Sequence, residues 1–228
     1  MPLRSKKKIL MSWSSGKDSA WALNLLRHDR DIDVVALLTT FNEEAGRVAM
    51  HGVRQRIVEL QAHAAELPLI AVDLPYPCSN AEYEAAMSRA LDNAVDRYDV
   101  EAVAFGDLHL EDVRGYREKQ LSMTGLEPLF PLWGQPTDAL AREMIEGGLR
   151  AIITCVDPKQ MPAMFAGADF DAALLDSLPA GVDPCGENGE FHTVVTAGPV
   201  FEVPLDVVVG DTVERDGFVF ADILPTVG

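Results

Sequence analysis

The chain is short of cysteine, short of positive charge, and without any long apolar run. Its three cysteines, Cys78, Cys155 and Cys185, form no C-x-x-C pair. That spacing gives no support to a zinc ribbon, an iron–sulfur centre or dithiol redox chemistry, and the thiols read as reduced and mostly buried. Nineteen Lys and Arg face thirty-six Asp and Glu, a formal net charge of −17. From residue 151 onward only Lys159 and Arg215 are basic, against thirteen acidic residues. Phosphate neutralisation supplies most non-specific affinity for nucleic acid, so this balance argues against a nucleic-acid partner. The basic cluster Arg4 to Lys8 reads as a solvated tail rather than a binding arm. No stretch approaches the ~18 apolar residues of a membrane helix. The apolar run within MPLRSKKKILMSW is cut off by SSGK, too soon for a secretory signal. These absences lead us to expect a cytoplasmic protein with no membrane partner. Internal repeats and low-complexity segments are also missing.

What is present is ample apolar material, 48% of residues, in an alternating pattern. KILMSW (8–13) is a short apolar run stopped by Ser-Ser-Gly, a buried strand and then a turn. Helical i,i+4 spacing follows over 19–28, and VVALLTTF (34–41) is a second strand. Residues 53–66 carry Val53, Ile57, Leu60 and Ala64 on one helical stripe. LIAVDL (69–74) is a third strand, and Ser79 and Asn80 offer caps to a helix running to about Tyr98. VEAVAFGD (100–107) is a fourth strand and 110–123 a charged helix. PLFPLWG is irregular, Thr137 can cap a helix through Gly147, and LRAIITCV (149–156) is a fifth strand. Strands separated by single helices imply right-handed parallel crossovers, and continuous apolar strands imply a sheet covered on both faces. The expected fold is α/β: a doubly wound parallel five-stranded sheet of order 3-2-1-4-5 over residues 1–156. A smaller α+β subdomain, 157–228, begins where prolines 158, 162, 179 and 184 break the pattern and ends in short strands.

In such sheets ligands bind beyond the C-terminal strand ends, where strand order reverses. SSGKDS lies there, directly after the first strand. A strand-to-helix turn of small residues offers backbone N–H groups at the positive end of a helix, an anion site. One glycine is too few for a dinucleotide fingerprint or a Walker A loop. Ser14, Ser15 and Gly16 would allow close approach, Ser14 and Ser19 add hydroxyls, and Lys17 adds charge if it turns inward. Ser15 carries little cost if its φ is negative. The plain alternative is a capped helix start.

The order Ser-small-Gly-x-Asp-Ser resembles the pyrophosphate loop of the ATP pyrophosphatases, usually S-G-G-x-D-S, with Ser15 where glycine is commonest. MHGVR (50–54), AFGDL (104–108), PLFPLWG (128–134) and GENGEFHT (186–193) extend the likeness. Together they resemble the diphthine–ammonia ligase family of the adenine nucleotide alpha hydrolase-like superfamily, over nearly the whole chain and in the wording of its compact bacterial members. The resemblance implies an AMP- and pyrophosphate-forming ligase that adenylates a carboxylate and amidates it with ammonia or an amine. Members of the compact kind are expected to act on a carboxylate other than diphthine, small or protein-borne. ATP and Mg²⁺ are the implied cofactors.

The resemblance assigns Ser14, Ser15, Gly16, Lys17, Asp18 and Ser19 to the β and γ phosphates, with Lys17 and Asp18 catalytic. Leu38, Thr39 and Thr40 at the second strand's end would meet adenine, and Gly106 would allow close approach. Asp18 and Asp107 would hold Mg²⁺; Asp18 could equally be a helix N-terminal carboxylate, and Asp107 could bind a substrate amine. The substrate side takes His51, Asp107, Arg114, Glu118, Glu187, Asn188, Glu190, His192 and Thr193. Arg114 and Glu118 are four apart, so a plain ion pair explains them too. His51 could be a capping or surface histidine. If FHTVV is a strand, Glu190 and His192 share a face, where either could take a proton from an amine, with Glu190 as the catalytic candidate. A polar hairpin turn is the alternative. Cys185 reads as structural. Two other functions stay open, a pyrophosphatase acting on tRNA or another small molecule, and an ATP-binding sensor without chemistry. A homodimer is the open expectation for assembly.

Overall fold

The computed structural model describes residues 5–48 and 51–226. Arg4 of the basic tail and Met50 of MHGVR lie outside the described residues. The first sheet has the expected parallel order. Its parallel strands are β1 (Lys7–Ser12), β2 (Ile32–Asn42), β4 (Leu69–Leu74), β5 (Ala102–Ala104) and β6 (Glu127–Leu129). Their spatial order is β4-β2-β1-β5-β6, which counted along the chain is 3-2-1-4-5. A two-residue strand β3 (Arg47–Val48) pairs antiparallel with the end of β2. Strand side chains alternate between faces. So Ile9 and Met11 join one core with helix α1 (Lys17–His28) and α2 (Gln55–Ala64), while Leu10 joins another under α3 (Asn80–Tyr98). Ser79 caps α3 through a capping box with Glu82.

The fifth strand differs from expectation. LRAIITCV does form a strand, β7 (Arg150–Val156), but not in the parallel sheet. The fifth place goes to Glu127–Leu129, a three-residue strand inside a stretch that reads as irregular. A continuous apolar run says that a strand is buried, not which sheet buries it. β7 finds its partners further on, in an antiparallel sheet of order β8-β7-β10-β9 with β8 (Phe191–Ala197), β9 (Val207–Arg215) and β10 (Phe218–Pro225). Thr137 also departs from its expected role. It opens α5 (Thr137–Glu146), whose N-cap is Pro136, and its hydroxyl donates instead to Asp183 Oδ2 at 2.6 Å. The exposed helix is α4 (Glu111–Leu121), and a short α6 (Ala172–Ser177) is capped by Asp171. Among the described residues no helix is long and apolar enough to cross a membrane.

Edge strand β8 carries the second sheet onto the first. Val195 N donates to Ser15 O at 2.9 Å, so this edge strand touches the turn after β1. Arg47 and Arg54 both bond Asp222 of β10, at 2.9 and 2.6 Å. These contacts hold the His51 hairpin between the two sheets.

Candidate functional site

The turn after β1 is strained and held from several sides. Ser15 sits at φ 73, in the left-handed region, so the condition under which a serine costs little there is not met. Glycine suits that position because an L side chain there crowds its own backbone. Ser15 is fully buried and its Oγ has no partner. Its carbonyl is held twice, by Val195 N and by Gln61 Nε2 at 3.0 Å. Gln61 also donates to Val195 O at 2.7 Å and accepts from the Trp13 indole at 2.9 Å. This fully buried amide was missed in sequence, although a glutamine beside Ile57, Leu60 and Ala64 on a buried helix face is itself a signal. Gly16 is the N-cap of α1, and Ser19 Oγ donates to its carbonyl at 2.9 Å and lies 3.2 Å from Ser14 Oγ.

Lys17 does not turn into open space. Its backbone N–H donates to Thr193 Oγ1 at 3.1 Å, which uses one amide of the helix start. Its ammonium is 2% exposed, bonds both oxygens of Asp18 at 2.8 and 3.0 Å, and donates to the Cys185 carbonyl. The rings of Phe170 and Phe191 lie below it. Burial works to lower the Lys17 pKa, but the charges of Asp18, Cys185 and Glu187 raise it above the ordinary value. For Asp18 burial pulls the other way, toward the neutral acid, against the pull of Lys17. With 28% of the Asp18 side chain exposed and both its oxygens on Nζ, the geometry holds the charged pair.

At the end of β5, Gly106 lets two backbones meet. A Cβ there would stand 2.8 Å from both Asp18 C and Ser19 N. Asp107 follows, its carboxyl raised by burial despite Arg117. Arg114 bonds Glu118 at 2.8 Å and lies over Phe130 and Trp133, the plain i,i+4 pair with aromatic support.

GENGEFHT forms a tight loop that its own acids organise. Gly186 has φ 68, and a Cβ would stand 2.7 Å from Phe191 O, so only glycine fits there. Glu190 is 2% exposed and accepts from Asp183 N, Asn188 N and Asn188 Nδ2. Glu187 Oε1 accepts from Leu108 N at 2.9 Å and His109 N at 3.2 Å, and burial raises its pKa. Asp183, also missed, accepts from Cys185 N, Glu187 N and Thr137. Cys185 is buried and its thiol is pushed up to about 12. The expectation that Glu190 and His192 share a face fails because Glu190 precedes β8 and turns into the loop.

His192 instead lines a cavity of about 900 Å³ beyond the ends of β1, β2 and β5. Ser14, Leu38, Thr40 and His51 line it too. Thr39 does not: it is buried and its hydroxyl holds Trp13 O at 2.8 Å. Lys17, Asp18, Gly106, Asp107, Arg114, Glu118, Glu187, Asn188, Glu190 and Thr193 are not part of this lining. The His51 and His192 rings lie 4.6 Å apart. His51 Nδ1 is 3.2 Å from Thr193 O, so that nitrogen carries the proton and Nε2 is the acceptor. Burial lowers His51 to about 4, and burial with neighbouring His51 and Lys17 holds His192 well below its ordinary value. Both rings are therefore neutral near pH 7.

Comparison with known proteins identifies the family. Residues 6–128 match the family model "Diphthamide synthase N-terminal domain", and 136–223 match "Diphthamide synthase C-terminal domain". A protein of Danio rerio named diphthine–ammonia ligase is 26% identical over 229 residues, covering 92% of this chain and 90% of its own length. The Mus musculus protein of the same name is 25% identical, covering 92% and 86%. That of Schizosaccharomyces pombe is 27% identical over 86% of this chain but 35% of its own greater length. The chain belongs to the diphthamide synthase family.

Proposed function

We propose that this member of the diphthamide synthase family is an ATP-dependent ligase that adenylates a carboxylate and converts it to an amide with ammonia or an amine. One observation carries the reading: a single cavity receives Ser14 from the turn after β1, Leu38 and Thr40 from β2, and His51 and His192 from the hairpin and β8. The ATP-type turn and GENGEFHT thus serve one chamber. A carboxylate is a poor electrophile, and its attack on the α-phosphate of ATP releases pyrophosphate and leaves an acyl-adenylate. Ammonia then attacks the acyl carbon and AMP departs.

The residues divide as follows. Ser14, Gly16 and Ser19 set the turn for the departing pyrophosphate, with Lys17 fixing it from beneath through Asp18 and Cys185 O. Leu38 and Thr40 line the adenine side. Glu190, Asn188, Glu187 and Thr193 shape the loop that presents His192. The neutral histidines His51 and His192 offer unprotonated ring nitrogens that orient ammonia by hydrogen bonding as the C–N bond forms. Mg²⁺ is bound through one or two carboxylates plus phosphates rather than by a full protein cage. Among the described residues no three acids, histidines or cysteines cluster as a cage. Asp107 Oδ2, buried without a hydrogen-bond partner, and Asp18 fit the open kind of site. Mg²⁺ there would neutralise phosphate charge.

The test is product analysis after incubation with ATP, Mg²⁺, ammonium and a panel of carboxylic acids, including diphthine-bearing elongation factor. Acid-dependent AMP and pyrophosphate support the reading, and ADP with phosphate would refute it. His192→Gln is expected to keep ATP binding and slow amide formation, while Asp18→Ala is expected to abolish adenylation.

A further inference from the structure

One wall of the cavity has a charge that no role above uses. α4 lays Arg117 along it, 27% exposed, with its guanidinium carbon 5.0 Å from the Phe105 ring centre. Its Nε is buried without a partner, and so is Asp107 Oδ2, 3.7 Å away. At that distance the two attract but do not hydrogen-bond. A guanidinium and a carboxylate, each with an idle buried atom, are poorly satisfied by one another. The other charged side chains on the cavity lining are Glu84, Asp92 and Lys119, in a chain of net charge −17. The lining thus holds two acids and two cations, and of the cations only Arg117 carries a planar fork over an aromatic face. Lys17 is consumed below the turn, and Arg114 is tied to Glu118 off the lining.

We propose that Arg117 is the anion-binding residue of the cavity, offering its fork to the phosphate of the AMP moiety, with the Phe105 face setting the fork's orientation. The planar guanidinium matches a phosphate in bidentate fashion, and an aromatic face beneath it holds its plane. The proposal rests on the nucleotide reading above and names the residue that distinguishes a nucleotide from its nucleoside.

Calorimetric titration of the full chain with ATP, AMP and adenosine tests it. Arg117→Met is expected to weaken AMP binding about tenfold or more and to change adenosine binding less than about twofold, as expected of lost charge-assisted bonds. Arg117→Lys should fall between, since it keeps charge without the fork. It also serves if Arg117→Met does not fold. Arg142→Met, which removes a surface cation on α5, should leave both ligands within about twofold. Wild type that binds AMP with Arg117→Met unchanged would overturn the inference and leave the nucleotide reading standing. Parallel loss of AMP and adenosine would assign Arg117 to packing and overturn it as well. Wild type that binds none of the three overturns both.

Discussion

Replacing Ser15 with glycine is expected to stabilise the protein, though it removes atoms from a fully buried site. Ser15 holds φ 73, and the left-handed region costs an L residue ~1–2 kcal/mol. Its hydroxyl is buried without a partner, a further ~1–3 kcal/mol for a desolvated polar group. Glycine removes both terms and gives back ~0.5–1 kcal/mol through the greater freedom of the unfolded chain. The low ends give a net gain of ~1–1.5 kcal/mol. In a chain of this size each kcal/mol moves Tm by about 2–4 °C, so a rise of roughly 2–6 °C is expected. Urea and thermal unfolding measure it. The carbonyl bonds from Val195 and Gln61 survive the change, so the urea slope should stay constant while the midpoint rises. Ser15→Ala separates the two terms, keeping the strained Cβ and losing only the idle oxygen, and should recover only part of the gain. A Ser15→Gly protein no more stable than wild type would refute the reasoning, since either the hydroxyl then has a partner or the turn does not keep positive φ.

Three other perturbations follow from the same contacts. Gly106→Ala should destabilise by ~1–3 kcal/mol by overpacking, read as a lower urea midpoint, because the new methyl meets backbone atoms of Asp18 and Ser19 that cannot swing away. Gly115→Ala on α4, where a Cβ meets nothing within 4 Å, should stabilise by ~0.5–1 kcal/mol. Gln61→Leu should cost ~2–3 kcal/mol in the same assay, because it leaves the Trp13 indole N–H buried and unpaired. Stability should also fall with acid in two windows. His51 titrates near 4 in the folded chain against 6.5 unfolded, so the unfolded state binds more protons between those values and stability drops as pH falls from 6.5 toward 4. For Asp222, burial opposes but bonds from Arg54 and Arg47 prevail and hold the carboxyl at about 2, so its contribution is lost from 3.8 down toward 2. Thermal melts of wild type and His51→Asn from pH 7 to 4 check the first window, which the variant should flatten.

The parallel sheet was legible because its signals are local. An apolar run, a turn of small residues and an i,i+4 stripe name a strand, a crossover and a helix without distant information. Ser79 and Asn80 marked the start of α3, and the structure makes Ser79 the cap. β7 was legible as a strand but not as a member of the second sheet, because its partners lie some forty residues later and only their pairing decides. The site was legible as a set of residues and illegible as directions. A lysine beside a phosphate-type turn invites the reading that it reaches the phosphates, yet Lys17 is drawn down by Cys185 O, 168 positions away. Glu190 looks like a free acid in sequence, and becomes a scaffold because Asp183 and Asn188 offer it three donors. Arg117 gave no sequence signal apart from its helix. Its distinction is an idle Nε beside an idle oxygen, which only coordinates reveal.

Why two motifs some 170 residues apart should occur together has a physical answer in these contacts. The turn after β1 cannot hold its own shape: Ser15 is strained, and the first amide of α1 would be idle. β8 supplies what is missing, with Val195 N on Ser15 O and Thr193 Oγ1 on Lys17 N. In return Lys17 gives GENGEFHT its only buried cation among the described residues, placed under the Cys185 carbonyl and against Phe191. Each motif therefore fixes the backbone of the other, and the chamber at their junction exists only when both are folded. A change confined to GENGEFHT, such as loss of the Thr193 hydroxyl, must disturb the phosphate-type turn even if no ligand touches Thr193. The halves proposed for nucleotide and for substrate share one set of hydrogen bonds, so mutational loss of one function is no proof that the mutated residue served it directly.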